Sequence, residues 1–285
     1  MKVFSKEEEG KVKEIIKKAL EEDKVNEDYT TLWCVPKDKR IKAEIVVKQD
    51  GVICGLWVTE MVFKMVSSNI EFKCLKKDGD KVKRFERVAT IKGSAANILR
   101  AERTALNFLQ RLSGIASLTA KFVERVKPFK AKILDTRKTT PGLRILEKYA
   151  VRTGGGENHR KDLKEMVLLK DNHIAVAGGI EKAVDNLLKN KDRNIDIEVE
   201  VKTLDELRIV LKKGIKRILL DNMSTEDLKE AVKITEGRAL LEASGGVDLS
   251  NVAEIAETGV DFISVGKITH SAPALDISLE IVSKG

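Results

Sequence analysis

Residues 132–174 read KILDTRKTTPGLRILEKYAVRTGGGENHRKDLKEMVLLKDNHI. Two short apolar runs, AKIL and MVLL, have the length and branching of buried strands. Each closes on polar side chains: Asp135, Thr136, Arg137 and Lys138 after the first, and Lys170, Asp171, Asn172 and His173 after the second. Between them Pro141 and Gly142 predict a helix start after Thr139 and Thr140, and a glycine-rich loop carries His159 and Arg160. Outward from this strand–helix–strand unit the pattern repeats. IDIEVEV, KRILL, RALLEA and VDFISV alternate with amphipathic stretches, with the capping-box form at Thr203 and Glu206, plausible N-caps at Ser224 and Asp248, and helix-ending glycines at 214, 237 and 259. Repeated βα units with strands apolar on both faces predict a parallel sheet buried by helices, closed or nearly closed into a barrel, with an open doubly wound sheet as the alternative.

A βα barrel builds its site from the loops after its strands, so the residues ending each run are informative. Besides the two sets above, Glu200 lies near the end of IDIEVEV, Asp221 and Asn222 follow KRILL, Ser244, Gly245 and Gly246 follow RALLEA, and Gly266 and Lys267 follow VDFISV. Glycines at the last two strand ends leave backbone bare, where such barrels bind phosphate. Arg137 and Arg160 can each grip a carboxylate or phosphate bidentately, while Lys138 and Lys170 act as point charges. Glu200 and Asp221 could hold ribose hydroxyls, bind a divalent metal with substrate phosphates, temper a cationic transition state, or merely balance nearby lysines.

The charge distribution agrees. The formal net charge is +8, and residues 121–170 hold 14 Lys+Arg against 6 Asp+Glu, whereas residues 171–285 hold 15 against 21. Positive charge is therefore focused on the quoted stretch, as an anionic small molecule requires. Nucleic acid is disfavoured because aromatics are only 4% and no basic run is interleaved with stacking residues. His159, His173 and His270 lack any zinc-binding spacing, and Gly154–Gly156 lacks the setting of a dinucleotide fingerprint, so the triplet is read as letting a loop fold around a ligand. Cys34, Cys54 and Cys74 form no C-x-x-C pair, no apolar run approaches a spanning helix, and the charged opening lacks a secretion signal's apolar core; a cytoplasmic, membrane-free protein is expected.

The first part of the chain differs in texture. A helix near residues 7–21 precedes β-rich residues 41–55, a helix near 56–66, and a long helical pattern from Ala95 that is read as joining two domains. Asn97, Asn107 and Gln110 beside its apolar stripe predict an interface that satisfies them.

The motifs TRKTTPGLRILEKYAVRTGGGENHR, LLKDNH, EVEV, LLDN, EASGG and SVGKITHS, with LEEDKVNEDYTT, GVICG and AERTALNFLQRLSGIAS before them, resemble the quinolinate phosphoribosyltransferase family over nearly the whole chain. The resemblance implies an α/β fold, with an N-terminal open α/β sandwich domain over residues 1–111 and an incomplete parallel α/β barrel over 112–285, whose tail can pack back on the first domain. It implies Mg²⁺ and conversion of quinolinate and phosphoribosyl pyrophosphate to nicotinate mononucleotide, CO₂ and pyrophosphate in de novo NAD biosynthesis. A homodimer or higher oligomer of dimers follows, with Arg103 lent to the neighbouring subunit. Arg137, His159, Arg160 and Lys170 resemble the quinolinate contacts, with Thr136 beside them. Lys138, Glu200 and Asp221 match positions for the phosphoribosyl donor, and the two acids for its metal, held through the substrate. Ser244, Gly245, Gly246, Gly266, Lys267 and His270 match the phosphate loops, and Lys138, Lys170, Glu200 and Asp221 are the catalytic set. Glu27-Asp28 and Lys202 depart from the family pattern. A same-fold paralogue acting on another aromatic acid is the alternative.

Overall fold

The computed structural model describes residues 4–190 and 195–284. The chain separates into two compact units: residues 1–120, 140–155 and 272–285 form the first, and residues 121–139 and 156–271 the second.

The first unit begins with α1 (Lys6–Glu22), where Ser5 and Glu8 form a capping box and Val12, Ile16 and Leu20 bury one helical face. After α2 (Tyr29–Cys34) come β1 (Arg40–Val47), β2 (Gly51–Val52), α3 (Leu56–Val66), β3 (Glu71–Cys74), β4 (Lys81–Val82), β5 (Arg87–Ser94) and the long α4 (Ala95–Val126). α5 (Arg144–Thr153) and β12 (Ile277–Lys284) complete the unit. Its antiparallel sheet has the order β12-β1-β5-β3. Gly55 at φ 101° turns the chain into α3, and the Asp78 carboxylate accepts from the Gly55 and Leu56 amides at 2.9 and 3.0 Å, satisfying donors that the helix start leaves open. One turn apart on α4, the Ser113 and Ser117 hydroxyls each exchange hydrogen bonds with both main-chain groups of a residue in the segment beside them, Ser113 with Cys54 and Ser117 with Val52. Gln110 donates to the Ile277 carbonyl at 2.7 Å, which satisfies one of the amides expected at an interface.

The second unit holds β6 (Lys132–Leu134), β7 (Met166–Leu169), α6 (Asp171–Ala177), α7 (Ile180–Asn190), β8 (Asp196–Val201), α8 (Leu204–Lys212), β9 (Arg217–Asp221), α9 (Thr225–Thr235), β10 (Leu240–Ser244), α10 (Val252–Glu257), β11 (Phe262–Ser264) and α11 (Lys267–His270). The strands form a wholly parallel sheet in the order β6-β11-β10-β9-β8-β7. β6 and β7 are its two edges, so the barrel is incomplete; a single parallel bridge between Leu134 and Glu157 adds a further segment beside β6. The expectation of strands apolar on both faces is corrected here. Glu198, Glu200 and Glu242 are buried in mid-sheet, paired in ways described below. Thr203 and Ser224 cap α8 and α9 as read, but α10 is entered through Asn251, while Asp248 accepts from the Ser250 amide three residues earlier than a cap requires. The helix expected from Pro141 begins at Arg144 after a turn in which Gly142 takes φ 80°.

A Cβ placed on Gly114 of α4 would lie 2.0 Å from the Pro273 carbonyl oxygen and 3.0 Å from Ala274 Cα, a backbone contact with no flexible side chain to yield. Gly114→Ala is expected to cost about 3 kcal/mol, the upper end for overpacking, read as a fall in the urea midpoint of unfolding.

Candidate active site

Alternation along parallel strands puts every second residue on one face of the sheet. Leu168, Glu200, Leu219, Asp221, Glu242, Ser244 and Ser264 obey that period and line a pocket of about 710 Å³. Strand register brings them level, Glu200 beside Leu219 beside Glu242, and Asp221 beside Ser244 one step higher. Thr136, Arg137, Lys138, His159, Arg160, Lys170, Gly245, Gly246, Gly266, Lys267 and His270 complete the wall. All the residues expected at the site therefore meet except Arg103, which is exposed on α4 and does not line this pocket. A larger cavity of about 1190 Å³ in the first unit runs along α1, α4 and residues 140–146, with Ile15, Ala19, Phe108, Leu112 and Leu146 in its wall. Of its acids and bases, Glu7, Lys11, Glu14, Lys18 and Glu22 are exposed along the single helix α1, whereas those of the smaller pocket converge from the ends of several parallel strands, so the chemistry is placed in the smaller pocket.

The cationic side rests on the His159–Arg160 turn. Fully buried Asp135, at the end of β6, accepts from the His159 amide at 2.8 Å and from the Asn158 side chain at 2.6 Å, so this strand-end acid fixes the turn and does not line the pocket. Arg160 is 9% exposed and donates through Nη1 to the Met166 carbonyl at 2.9 Å. Burial, followed by the neighbouring Arg137 charge, lowers its pKa from the ordinary arginine value, as expected of a guanidinium held in a buried place beside a like charge. Lys170 Nζ lies 2.9 Å from Glu200 Oε2, giving a cation and a carboxylate at one point of the wall. At the rim Lys202, which does not line the pocket, donates at 2.9 Å to Asp171, which does, so Lys202 finds its acid one strand away.

The glycine ends are shaped by close neighbours. Asn222, at φ 55°, donates its backbone N–H to the Ser244 carbonyl at 2.8 Å, and its carboxamide crowds the place of a Gly245 Cβ, which would lie 2.2 Å from Oδ1. Gly266 carries the Lys138 stem and the His270 ring at 3.1 and 3.2 Å from its would-be Cβ. By contrast Gly154 and Gly155 are absent from the pocket wall. A Cβ on Gly154 would lie 2.4 Å from the Ala116 carbonyl, so the close approach it serves is to α4 and the reading of the triplet as wrapping a ligand is corrected.

Sequence reading missed the charges under the pocket. Arg217 donates through Nε to Glu198 at 2.9 Å and through Nη2 to Glu242 at 2.6 Å, and both carboxylates are fully buried. Ser264 donates to the other Glu242 oxygen, and His159 Nε2 meets Glu198 at 2.8 Å. Burial alone would raise Glu198, but hydrogen bonding by His159 and the Arg217 guanidinium outweigh it and hold the group below the usual carboxylate range. For Glu242 burial, then the Glu198 charge, prevails and pushes it up to about 7. The only signal in the sequence is the E-V-E-V alternation of β8.

His159, Glu198 and Glu242 bring three potential ligand atoms within 4.8 Å, but Arg217 and Ser264 already occupy the carboxylates. Glu200 and Asp221 belong to no such group of three among the described residues. Two carboxylates on a pocket wall without a closed protein cage suit Mg²⁺, which keeps waters and takes substrate phosphate oxygens beside one or two acids.

Fold and pocket together define a barrel enzyme built for a multiply anionic ligand. The chain belongs to the quinolinate phosphoribosyltransferase family: residues 28–113 match the family's N-terminal domain and residues 115–280 its C-terminal domain. It is 45% identical over 289 aligned positions to the decarboxylating quinolinate phosphoribosyltransferase 2b of Nicotiana tabacum, a mitochondrial protein, covering 95% of this chain and 82% of that one. Among solved structures, the nicotinate-nucleotide pyrophosphorylase of Ehrlichia chaffeensis is 42% identical with a TM-score of 0.91, covering 99% of this chain and 100% of that chain. The corresponding protein of Francisella tularensis is also 42% identical with a TM-score of 0.91, covering 96% of each. No helix among the described residues is long and apolar enough to cross a membrane.

A folded-state value of about 7 for Glu242, against 4.5 for an ordinary glutamate, means that folding favours its neutral form. That contribution is intact below about pH 4.5 and is lost as pH rises towards 7. Glu242→Gln, neutral at every pH with an oxygen for Arg217 and an amide for Ser264, is expected to raise Tm over the parent at pH 8 and by much less at pH 5. Parallel melting curves at the two pH values would contradict the assignment.

Proposed function

We propose that this protein transfers the phosphoribosyl group of phosphoribosyl pyrophosphate to quinolinate with decarboxylation, releasing nicotinate mononucleotide, CO₂ and pyrophosphate, the step that delivers the pyridine ring to NAD biosynthesis. The observation that carries the reading is Arg160: a buried guanidinium held beside Arg137, with no salt bridge of its own among the described residues, facing a pocket whose other wall bears acids and glycine backbone. A dicarboxylate answers the two arginines, and a phosphorylated sugar answers the rest.

In this reading Arg137, Arg160 and Lys170, with His159 in the wall between them, seat the two carboxylates and aim the ring nitrogen at the anomeric carbon. Gly245, Gly246 and Gly266 admit the 5′-phosphate against backbone, and Lys138, Lys267 and His270 stand beside it. Mg²⁺ at Glu200 and Asp221 would neutralise the diphosphate when bound. The nitrogen forms its bond to carbon as the bond to pyrophosphate breaks, and the same two acids oppose the positive charge that develops on the sugar. The ring is then a pyridinium. It accepts the electron pair of the adjacent carbon–carboxylate bond, CO₂ departs, and a proton takes its place on carbon. Lys170 stays an ion-paired ammonium throughout, in keeping with its Glu200 contact.

Arg103, exposed on its helix, is assigned to the pocket of a second subunit in a homodimer. The free cysteines 34, 54 and 74 fit a reducing, cytoplasmic setting.

Purified protein with Mg²⁺ and phosphoribosyl pyrophosphate is expected to release CO₂ and mononucleotide from quinolinate and to leave nicotinate unreacted, and Arg160→Ala should lower kcat/KM for quinolinate by about 100-fold, the scale for losing one charged hydrogen-bonding partner. Turnover of nicotinate but not quinolinate would reject the substrate. Mixing Arg103→Ala and Lys138→Ala subunits, each inactive alone, should restore about a quarter of parental activity through statistical pairing of a two-fold dimer. No recovery after subunit exchange would reject the shared site.

A further inference from the structure

His159 lies in the pocket wall, yet both its ring nitrogens are engaged by the protein. The Arg160 backbone amide donates to Nδ1 at 2.8 Å, and Nε2 lies 2.8 Å from Glu198 Oε2, with Glu242 Oε1 at 3.5 Å. A backbone N–H aimed at Nδ1 requires a lone pair there, so the ring proton sits on Nε2 and is given to Glu198. No ring N–H is left to donate to a ligand in this arrangement. What the ring does hold is the amide of the very residue whose guanidinium faces the pocket.

Glu198 is itself fixed from below. Arg217 spans Glu198 and Glu242 on the two strands flanking its own, and Ser264 reaches Glu242 from the next strand. Four adjacent strands thus converge, through one acid, on one imidazole. Supporting contacts of this kind set the direction of the group in front of them, and small misplacements of a substrate-gripping side chain are costly.

We propose that His159 is a positioning residue, locked as the Nε2–H tautomer between the Arg160 backbone and Glu198, and that the Glu198–Arg217–Glu242–Ser264 network beneath it sets the angle at which Arg160 meets the anionic substrate. This rests on the dicarboxylate reading above for the identity of the substrate, but not for the state of the ring.

The test begins with ¹⁵N-histidine NMR of the unaltered, ligand-free protein. The His159 signals, assigned by loss in His159→Gln, should report the Nε2–H form, and this form should persist when quinolinate is added. An Nδ1–H form, a doubly protonated ring, or a change of form on adding quinolinate overturns the proposal. The ligand-free spectrum decides the ring's role whether or not quinolinate is turned over, so failure here and failure of the substrate assignment are distinguishable. Kinetics then reads the network. Glu198→Ala should raise KM for quinolinate about tenfold with kcat much less affected, while Glu198→Gln, which keeps an acceptor for Nε2–H, should restore most of it. In a His159→Ala background the Glu198→Ala change should add less than about twofold, because the two residues act as one unit. Additive effects, or no change of KM in a folded Glu198→Ala protein, overturn the network's part.

Discussion

Arg217 clamped between Glu198 and Glu242 is the interaction on which the second unit turns. Two carboxylates with no solvent contact and one partly buried guanidinium form the floor of the barrel, where a conventional interior would be apolar. Breaking one member of such a set leaves an unpaired buried charge, which costs several kcal/mol, whereas the intact set gains little over a hydrocarbon filling. Stability therefore does not account for the choice; geometry does. Each hydrogen bond has a direction, so the clamp fixes the rotation of neighbouring strands and presents His159, Glu200 and Asp221 at defined heights.

Above that floor the pocket draws most of its cations from the ends of β6 and β7 and the turn at 158–160, with Lys267 after β11, its acids from β8, β9 and β10 with Asp171 after β7, and bare backbone from the glycines after β10 and β11. Under the proposed reaction the acidic ring would meet the cations, the sugar carbon the two acids, and the phosphate the glycines. A net positive field would attract such an anionic pair, and in the proposed reaction Glu200 and Asp221 would oppose the positive charge developing on the sugar.

Much of this was legible in the sequence, for identifiable reasons. The six barrel strands are short apolar runs separated by capped helices, and the rule that barrel loops carry the site placed Arg137, Lys170, Glu200, Asp221 and the glycines at one rim before any coordinates. What resisted reading were effects that depend on partners distant in the chain. Glu198 alternates with apolar residues just as it would in a half-exposed strand, Glu242 interrupts an apolar run, and only the sheet order reveals that Arg217 joins them. Asp135 looked like another wall residue, but its work is to hold the backbone of the next loop. Gly154 resembled a ligand loop because nothing local betrays a helix carbonyl 2.4 Å from its missing Cβ. Asp248 had the composition of a cap and lacked only the right register.

The pairing of β12 with β1 joins residues 277–284 to residues 41–47 in the first sheet. During synthesis β1 emerges early, yet its outer neighbour is made only after every barrel strand has been synthesised. Until then β1 exposes an open edge capable of pairing with other chains, and contacts so distant in sequence form slowly. The first sheet is therefore completed by the last strand of the chain, so its outer edge is the latest to be covered.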